Sequence, residues 1–476
     1  MRNPLIFILG FVLLTSNTIS AQCYSGNLVT STFATGGTGS YTNRIIWLTW
    51  GAKTIADTYG KSNQILGEGE TSYASIPLSA NKYFCLQATI ENISPPASLK
   101  SYIPGNYTGD SMDDLYHIGG PGANNQMVAG LINAQSGTTV TFTVRCQASL
   151  DGNPVRIKGL VVADAESLSQ TEELKASADG VWNVTELQKN IGAGPYQLEK
   201  TMQGGLQQVR FFNGNDNNTA AISILSFNQT AYDTQANNYE VTFNVSVKGA
   251  GLTAIALGLL MPELDRGDAP ASYGEALHII DYSEFTSDQI ALGTTVDLNT
   301  ATYNSANEIP KTNRSFIGSV APDPEANSQY SLDALADDND GGIADEEDVL
   351  PPFLKRFHYI NYNYKAGEIF SLQVPYTTIK DSYLQAWIDF NVNGVFEPQE
   401  GVMQSLPAGV GSTTLSWTVP PDVKILPTYM RLRLSDNYYG VLTPEATLLK
   451  GEVEDHIMYV VKPALVNPHL PTKVKD

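Results

Sequence analysis

Short runs in which apolar and polar residues alternate recur along most of this chain, and they strongly restrict its fold class. In residues 139–146 (TVTFTVRC) every second side chain is Val, Phe or Cys, and residues 239–247 (YEVTFNVSV) show the same period. Successive side chains of a β-strand point to opposite faces, so a period of two predicts half-buried strands. Helical periodicity is weak, with its best candidate at residues 166–176. The chain is therefore predicted to be all-β.

The strand signals fall into two stretches separated by a segment of different composition. They fill residues 22–262, with RIIWLTW, YFCLQATI and AISILSF as examples, and residues 350–461, with YLQAWIDF and YMRLRLS. Residues 263–349 are rich in Asn, Thr and Ser, and seven acidic residues lie between Asp337 and Asp348. Such acidic density repels itself unless cations screen it, so this segment is either a solvated linker or a second cation site. We predict a β-sandwich, an acidic linker, a second, smaller β-sandwich and a tail at residues 462–476.

The N-terminus and the charge indicate an exported protein. Residues 1–21 have the form of a signal peptide, with Arg2, an apolar stretch over residues 5–14 and the small-residue cleavage site Ile19-Ser20-Ala21. That stretch is too short to span ~30 Å of hydrocarbon, and no longer one follows, so the mature chain is predicted to have no transmembrane segment. The formal net charge of −21 and the lack of a basic patch exclude nucleic acid as a partner.

The chain has three cysteines, Cys23, Cys85 and Cys146. Export favours disulfide bonds, and an odd number of cysteines leaves one thiol over. Cys85 and Cys146 both lie in strand-like runs, whereas Cys23 is close to the predicted cleavage site. We expect a bond between Cys85 and Cys146, and a bond from Cys23 to either of them is the alternative.

Residues 389–400 (DFNVNGVFEPQE) fit the calcium-loop pattern D-x-[DN]-x-[DN]-G-x5-E at every position. Ca²⁺ takes six to eight oxygen ligands, from side chains and one backbone carbonyl of such a loop. The predicted ligands are Asp389, Asn391, Asn393, the carbonyl of Val395, Glu397 and Glu400. A strand-like run precedes the loop and Pro and Gly follow it, so it lies between strands and not in an EF-hand. The prediction is a weak structural calcium site with a dissociation constant of ~10⁻⁴ M, and the alternative is a metal-free Asn/Gly hairpin.

A second candidate site is the long segment 102–125 (YIPGNYTGDSMDDLYHIGGPGANN). Binding of a sugar needs flat aromatic faces for stacking and planar amides or carboxylates for hydroxyl groups, and the segment has both. Long loops in compact domains are often functional, although an ordinary surface loop is the alternative. The candidate ligand-binding residues are Tyr102, Asn106, Tyr107, Asp110, Asp113, Asp114, Tyr116 and Asn124.

No catalytic motif accompanies these segments. The five histidines are scattered, and the chain has no HExxH, GxSxG or P-loop glycine string. We therefore predict that the protein is not an enzyme. A β-sandwich glycosidase with its two carboxylates among the 49 acidic residues, or a purely structural spacer, are the alternatives.

Several of the quoted segments resemble known families. WIDFNVNGVFEPQEG, MRLRLSDN and residues 451–455 (GEVED) resemble the GEVED-motif domain, a β-sandwich of bacterial secreted and surface proteins, and DRGDAPASYGEA and DDNDGGIADEEDV are similar to the segments that precede it. In GEVED itself, Glu452 and Glu454 are expected to pair with Arg431 or Arg433 of a neighbouring strand. The tripeptide Arg266-Gly267-Asp268 matches an integrin motif, but its place in the first of those segments favours a local turn role.

Other segments resemble a second family. RIIWLTWG, NYTGDSMDDLYHIGG, VVADAES and GLTAIALGLL resemble the ligand-binding non-repetitive region of CshA-type fibrillar adhesins, a lectin-like β-sandwich. The resemblance implies a secreted or cell-surface bacterial protein that adheres to an extracellular glycan or glycoprotein without turning it over. The oligomeric state is not predicted.

Overall fold

The computed structural model describes residues 23, 27–39, 41–57, 59–79, 82–104, 112–117, 128–190, 194–215, 220–227, 238–249, 253–280, 288–299, 315–325, 328–336, 346–350, 359–360, 367–424 and 426–460. The strands of the first half are β1 (Thr32–Phe33), β2 (Ile45–Trp47), β3 (Thr71–Pro77), β4 (Tyr83–Ser94), β5 (Leu99–Tyr102), β6 (Gly130–Asn133), β7 (Thr138–Leu150), β8 (Asn153–Val155), β9 (Gly159–Asp164), β10 (Glu173–Ala178), β11 (Trp182–Asn190), β12 (Gln197–Gln203), β13 (Leu206–Phe212), β14 (Ala220–Phe227), β15 (Val241–Gly249) and β16 (Ala254–Leu260). Those of the second half are β17 (Leu264–Arg266), β18 (Leu277–Ile279), β19 (Thr294–Asp297), β20 (Phe316–Ile317), β21 (Tyr359–Ile360), β22 (Ile369–Thr378), β23 (Ser382–Ile388), β24 (Gly401–Leu406), β25 (Gly409–Thr418), β26 (Pro427–Ser435), β27 (Thr447–Leu448) and β28 (Glu452–Val460). Two short α-helices, α1 (Met112–Leu115) and α2 (Tyr438–Val441), and two single 3₁₀ turns, Ala271–Tyr273 and Pro398–Glu400, complete the description.

The first sandwich consists of two large, mostly antiparallel sheets. Within the described residues, one sheet has eight strands in the order β1-β2-β16-β9-β14-β11, with β6 beside β16 and β5 beside β6. The other has nine, in the order β19-β12-β13-β10-β15-β7-β4-β3, with β8 beside β7. The all-β prediction is confirmed.

Alternation along the strands builds an inner core between the two sheets. In β7 the apolar residues at every second position are buried, as the sequence predicts. Side chains from both sheets meet there, among them Ile46, Leu160 and Leu257 from one sheet and Leu86, Phe142 and Phe211 from the other. The expected helix at residues 166–176 is wrong, because Glu173–Ala178 is strand β10, hydrogen-bonded between β13 and β15.

The eight-stranded sheet is also covered on its outer face. Strands β9 and β16 are buried along their whole length. On this face a second cluster of buried side chains, the outer core, packs against both strands. It contains Ile45, Trp47, Val161, Ala163, Ala254 and Ala256 of the sheet, together with Tyr102, Met112, Leu115 and Tyr116. Tyr102 and the described residues 112–116 of the candidate sugar-binding segment therefore lie in a packed layer.

The second, smaller sandwich packs a five-stranded sheet on a three-stranded one. Among the described residues the orders are β21-β28-β26-β23-β24 and β20-β22-β25. Its core contains Ile388, Leu432 and Leu434 from the larger sheet and Phe370 and Trp417 from the smaller one.

Residues 263–349, expected to be a linker, contribute strands to folded sheets. β19 extends the nine-stranded sheet by pairing with β12, and β20 pairs with β22 of the second sandwich. β17 and β18 form a small sheet with β27. The linker expectation is therefore corrected for the described parts of this segment.

The disulfide joins Cys23 to Cys85, and Cys146 is a buried free thiol. The predicted Cys85–Cys146 bond is wrong, and the reason is the register of two adjacent strands. Cys146 of β7 lies opposite Ala88 of β4, three residues from Cys85. An odd offset places Cys85 and Cys146 on opposite faces of the sheet. Cys146 points into the inner core, while Cys85 lies on the outer side, where Cys23 reaches it.

Candidate functional site

The predicted calcium loop connects two paired strands of the second sandwich. β23 ends at Ile388, β24 begins at Gly401, and Trp387 lies opposite Gly401 in the ladder. A 3₁₀ turn at Pro398–Glu400 closes the loop, so the flanks are strands and not EF-hand helices, as the sequence predicts.

Asp389 organises the first half of this loop. It is fully buried, and its Oδ1 and Oδ2 accept hydrogen bonds from the backbone N–H groups of Asn393, at 3.2 Å, and Gly394, at 2.9 Å. The hydroxyl of Tyr273 donates to Oδ2 at 2.7 Å. Gly394 has a φ of 86°, a left-handed conformation in which glycine carries no steric penalty. The glycine of the motif is therefore required by the turn itself.

In the second half of the loop, two glutamates accept hydrogen bonds from the side-chain amide of one asparagine. The side-chain nitrogen of Asn391 donates to Oε2 of Glu397 at 2.8 Å and to Oε1 of Glu400 at 3.3 Å. Oε1 of Glu400 also accepts the N–H of Phe390 at 3.1 Å. Burial raises the pKa of Glu400 to about 7, and the charges of Asp389 and Glu397 add to the effect. Grouped carboxylates of this kind suit a hard cation.

The remaining predicted ligands are placed differently. Oδ1 of Asn393 accepts the N–H of Val395 at 3.1 Å, and the side chain of Val395 is exposed. Among the described residues, three acidic side chains whose ligand atoms all lie within 4.8 Å of one another occur elsewhere, at Asp323, Glu325 and Glu346. That buried group could hold a metal ion, and calcium in the loop stays a prediction.

The sequence reasoning missed Asp323 and Glu325. Their signal is the run Asp323-Pro324-Glu325. The residue before a proline prefers an extended backbone, and residues i and i+2 of an extended chain point to the same side. Glu346 belongs to the acidic run that the sequence left open as a cation site.

The candidate sugar-binding segment is described only in part. Tyr102 is 4% exposed and Tyr116 is fully buried, both in the outer core. The expectation that these two rings present stacking faces is corrected, because both rings are buried against the eight-stranded sheet. Asp113 is half-buried and Asp114 also lies in α1. Outside the described residues lie Asn106, Tyr107, Asp110 and Asn124.

The acidic residues of the GEVED sequence divide between the two faces of β28. Asp455 lies opposite Arg431 and receives two hydrogen bonds from its guanidinium, both at 2.7 Å. The expected pairing of Glu452 and Glu454 with Arg431 or Arg433 is wrong, because those glutamates point to the opposite face. Burial raises the pKa of both glutamates well above its usual range, and for Glu452 the charge of Glu454 adds to the effect.

The Arg266-Gly267-Asp268 tripeptide is also buried. Arg266 binds Glu275 at 2.7 Å, and Oδ2 of Asp268 accepts the N–H of Ala336 at 2.7 Å. A side chain at Gly267 would meet Oδ2 of Asp455 at 2.6 Å. The tripeptide is thus a structural element of the interface with the second sandwich.

Two family models match this chain. Residues 43–261 match surface adhesin CshA non-repetitive domain 2, and residues 383–459 match the GEVED domain. Both resemblances seen in the sequence are confirmed. A comparison with curated proteins finds no match. No helix among the described residues is long and apolar enough to cross a membrane.

A solved structure is also similar, the N-terminal domain of the Streptococcus gordonii adhesin Sgo0707. The similarity covers 84% of this chain and 82% of that one, with a TM-score of 0.29 and 8% identity. At these values it carries no argument about function.

Proposed function

We propose that this protein is an adhesin, secreted or held at a bacterial cell surface, whose first sandwich binds an extracellular carbohydrate or glycoprotein non-covalently. The observation that carries the proposal is the match of residues 43–261 to a surface-adhesin domain. The same match points to a non-enzymatic protein.

The most suitable ligand-binding segment lies between two anchored points. Tyr102 is buried where β5 ends, and α1 is fixed through Met112 and Leu115 in the outer core. The chain between them carries Asn106, Tyr107 and Asp110. These residue types supply one aromatic face and planar hydrogen-bonding groups for a sugar. We assign ligand contact to these three residues and packing to Tyr102 and Tyr116.

A glycan array probed with the full chain tests this function. Capture of a restricted set of glycans or glycoproteins is expected. Tyr107→Ala should abolish capture without changing the melting temperature. Tyr439→Ala is the matched control, since this tyrosine is 80% exposed on the second sandwich, and it should bind as the wild type does. Absence of capture, or equal loss in both variants, would contradict the assignment.

We further propose that Ca²⁺ in the loop 389–400 stiffens the second sandwich. The grouping of Asp389, Asn391, Glu397 and Glu400 supports it. With a dissociation constant of ~10⁻⁴ M, millimolar calcium would add about 1.4 kcal/mol to the free energy of unfolding. Glu397→Gln removes one charge from a half-buried position and should lower that gain, as measured by thermal unfolding with and without chelator. An unchanged calcium response in this variant would favour the metal-free hairpin.

A further inference from the structure

One edge of β28 is covered by carboxylates where a neighbouring strand would otherwise lie. The N–H of Val453 donates to Oδ2 of Asp265 at 2.6 Å, and the N–H of Asp455 donates to Oε1 of Glu347 at 2.8 Å. On this side, β21 pairs with β28 only at Tyr459 and Val460 within the described residues. Carboxylates thus satisfy backbone groups that an unpaired edge would leave open.

The chain stretches around residues 317 and 349 are tied to the same strand. Oε2 of Glu452 accepts the N–H of Ile317 at 2.5 Å, and Oε2 of Glu454 accepts the N–H of Val349 at 3.2 Å. These bonds hold both stretches beside β28. Several acidic residues are thereby concentrated in a buried volume.

Three other carboxylates, from residues 321–325 and 346–350, converge near β28. Their ligand oxygens lie within 4.8 Å of one another, and Asp323, Glu325 and Glu346 are 2%, 7% and 4% exposed. A cation of the calcium type, bound at about 2.4 Å, spans oxygens up to about 4.8 Å apart, so one ion can contact all three. The spacing fits a single metal site.

An independent observation concerns an oxygen atom with no hydrogen-bond partner. Oδ2 of Asp323 is buried without one. A buried acceptor without a donor is costly, and a buried carboxylate more so. The neighbouring Arg266 donates a hydrogen bond from Nη1 to Glu275 and one from Nε to the backbone carbonyl of Glu325. A bound cation would supply what Asp323 lacks.

We propose that Asp323, Glu325 and Glu346 bind a Ca²⁺ ion that ties the stretch 321–325 to the stretch 346–350 and so closes the edge of β28. The ligand set is entirely oxygen, which suits Ca²⁺ and disfavours Zn²⁺ and copper. Mg²⁺ demands near-ideal octahedral geometry and keeps several waters, which a buried site of three carboxylates does not favour. This site is separate from the loop 389–400.

Equilibrium dialysis of the full chain with radioactive calcium tests the proposal. The variant Asp323→Asn/Glu346→Gln should bind one ion fewer than the wild type. The control Asp422→Asn changes an exposed carboxyl of the same sandwich and should bind the wild-type number. Equal binding by the wild type and the double variant would overturn the proposal, and displacement by equimolar Mg²⁺ would overturn the assignment to calcium.

Thermal unfolding distinguishes a metal site from a cluster of carboxylates that only stabilises the fold. In chelator, the double variant should melt above the wild type, because like charges no longer repel. In millimolar calcium the order should reverse, because only the wild type gains the ion. A double variant that melts lower in both buffers by the same amount would overturn the site.

A loop variant keeps the test decisive if the double variant does not fold. Glu397→Gln leaves the three cluster carboxylates in place and should still bind at least one Ca²⁺. Binding of none by this folded variant would also overturn the proposal.

Discussion

At Tyr116 the aromatic ring and the hydroxyl group have separate partners. The ring packs on Trp47, with 5.4 Å between the ring centroids, and the hydroxyl donates to Oε1 of Gln188 at 3.1 Å. The hydroxyl also accepts the N–H of Tyr41 at 3.4 Å. Because the ring is fully buried, its removal leaves a cavity, whereas removal of the hydroxyl alone breaks these two hydrogen bonds.

Tyr116→Ala should therefore lower the free energy of unfolding by about 3–5 kcal/mol and Tyr116→Phe by about 1–2 kcal/mol, in urea unfolding curves. Ligand capture by the Phe variant should match the wild type. A Phe variant that folds normally but loses capture would return Tyr116 to the binding site.

His278 is a buried histidine held in its neutral form. Its Nε2 accepts a hydrogen bond from Nε of Arg433 at 3.0 Å, so Nδ1 carries the proton that faces the carbonyl of Lys450. Burial lowers the pKa of His278 well below its usual value, and the charges of Arg433, Arg431 and Lys82 lower it further. In the unfolded chain His278 therefore binds a proton near pH 6.5, whereas in the folded chain it stays neutral at that pH.

The free energy of unfolding should fall as the pH drops below about 6.5, because the unfolded state then binds more protons. Between about pH 7.5 and about pH 5.5 His278 contributes a loss of about 1.4 kcal/mol. Urea unfolding of the wild type and of His278→Gln, both in saturating calcium, measures this as the difference between their pH dependences. Equal pH dependence would show that His278 titrates normally.

The burial and the role of a single residue can be predicted from the sequence in some cases and not in others. The period of two places Val140 and Phe142 in the core without further information. The outer burial of Tyr102 and Tyr116 depends on a layer folded over the sheet, and alternation carries no information about such a layer. The calcium-loop pattern of residues 389–400 is recognisable in the sequence because its residue types stand at fixed local spacings, and calcium in it stays a prediction.

At the scale of elements, the closure of the β28 edge depends on a close approach at Gly318. Its φ is 75°, and an added Cβ would overlap Oδ1 of Asp348 and lie 3.3 Å from Oε1 of Glu454. Asp348 in turn accepts the N–H of Ser319 at 2.8 Å. Glycine is thus needed here both for its conformation and for its size.

Gly318→Ala should destabilise the second sandwich more than Gly367→Ala, which changes a glycine of similar φ, 87°, with no atom near its Cβ position. Both variants incur about 1–2 kcal/mol for the left-handed backbone. Gly318→Ala should lose about 1–3 kcal/mol more, because the two stretches must move apart. Thermal unfolding compares them, and equal losses would show that the closure tolerates a side chain.

Pairing between elements was less predictable than the elements themselves. The sequence predicts the runs that form β4 and β7 as strands, yet the disulfide depends on which face of the sheet each cysteine occupies. That follows from the register of Ala88 against Cys146, which no local pattern fixes.

At the scale of the whole molecule, residues 288–299 complete the first sandwich although they follow it in sequence. Lys200, buried in β12, binds Oδ2 of Asp288 at 2.5 Å and the carbonyl of Trp182 at 2.7 Å. Ile290 and Leu298 join the inner core. The composition of this stretch resembles a linker, and the partner of Lys200 is 88 residues away, so the sequence offered no local signal for it.

A chain truncated after residue 262 should therefore unfold at lower urea concentration than one truncated after residue 299. The shorter chain leaves the ammonium group of Lys200 without its carboxylate, and the loss of a hydrogen bond between charged groups costs about 1.5–3 kcal/mol. It also leaves the edge of β12 unpaired. Asp288→Asn in the longer chain separates the two effects, since it removes the charge pair and keeps β19. Coincident unfolding midpoints for the two truncated chains would mean that the first sandwich ends at residue 262.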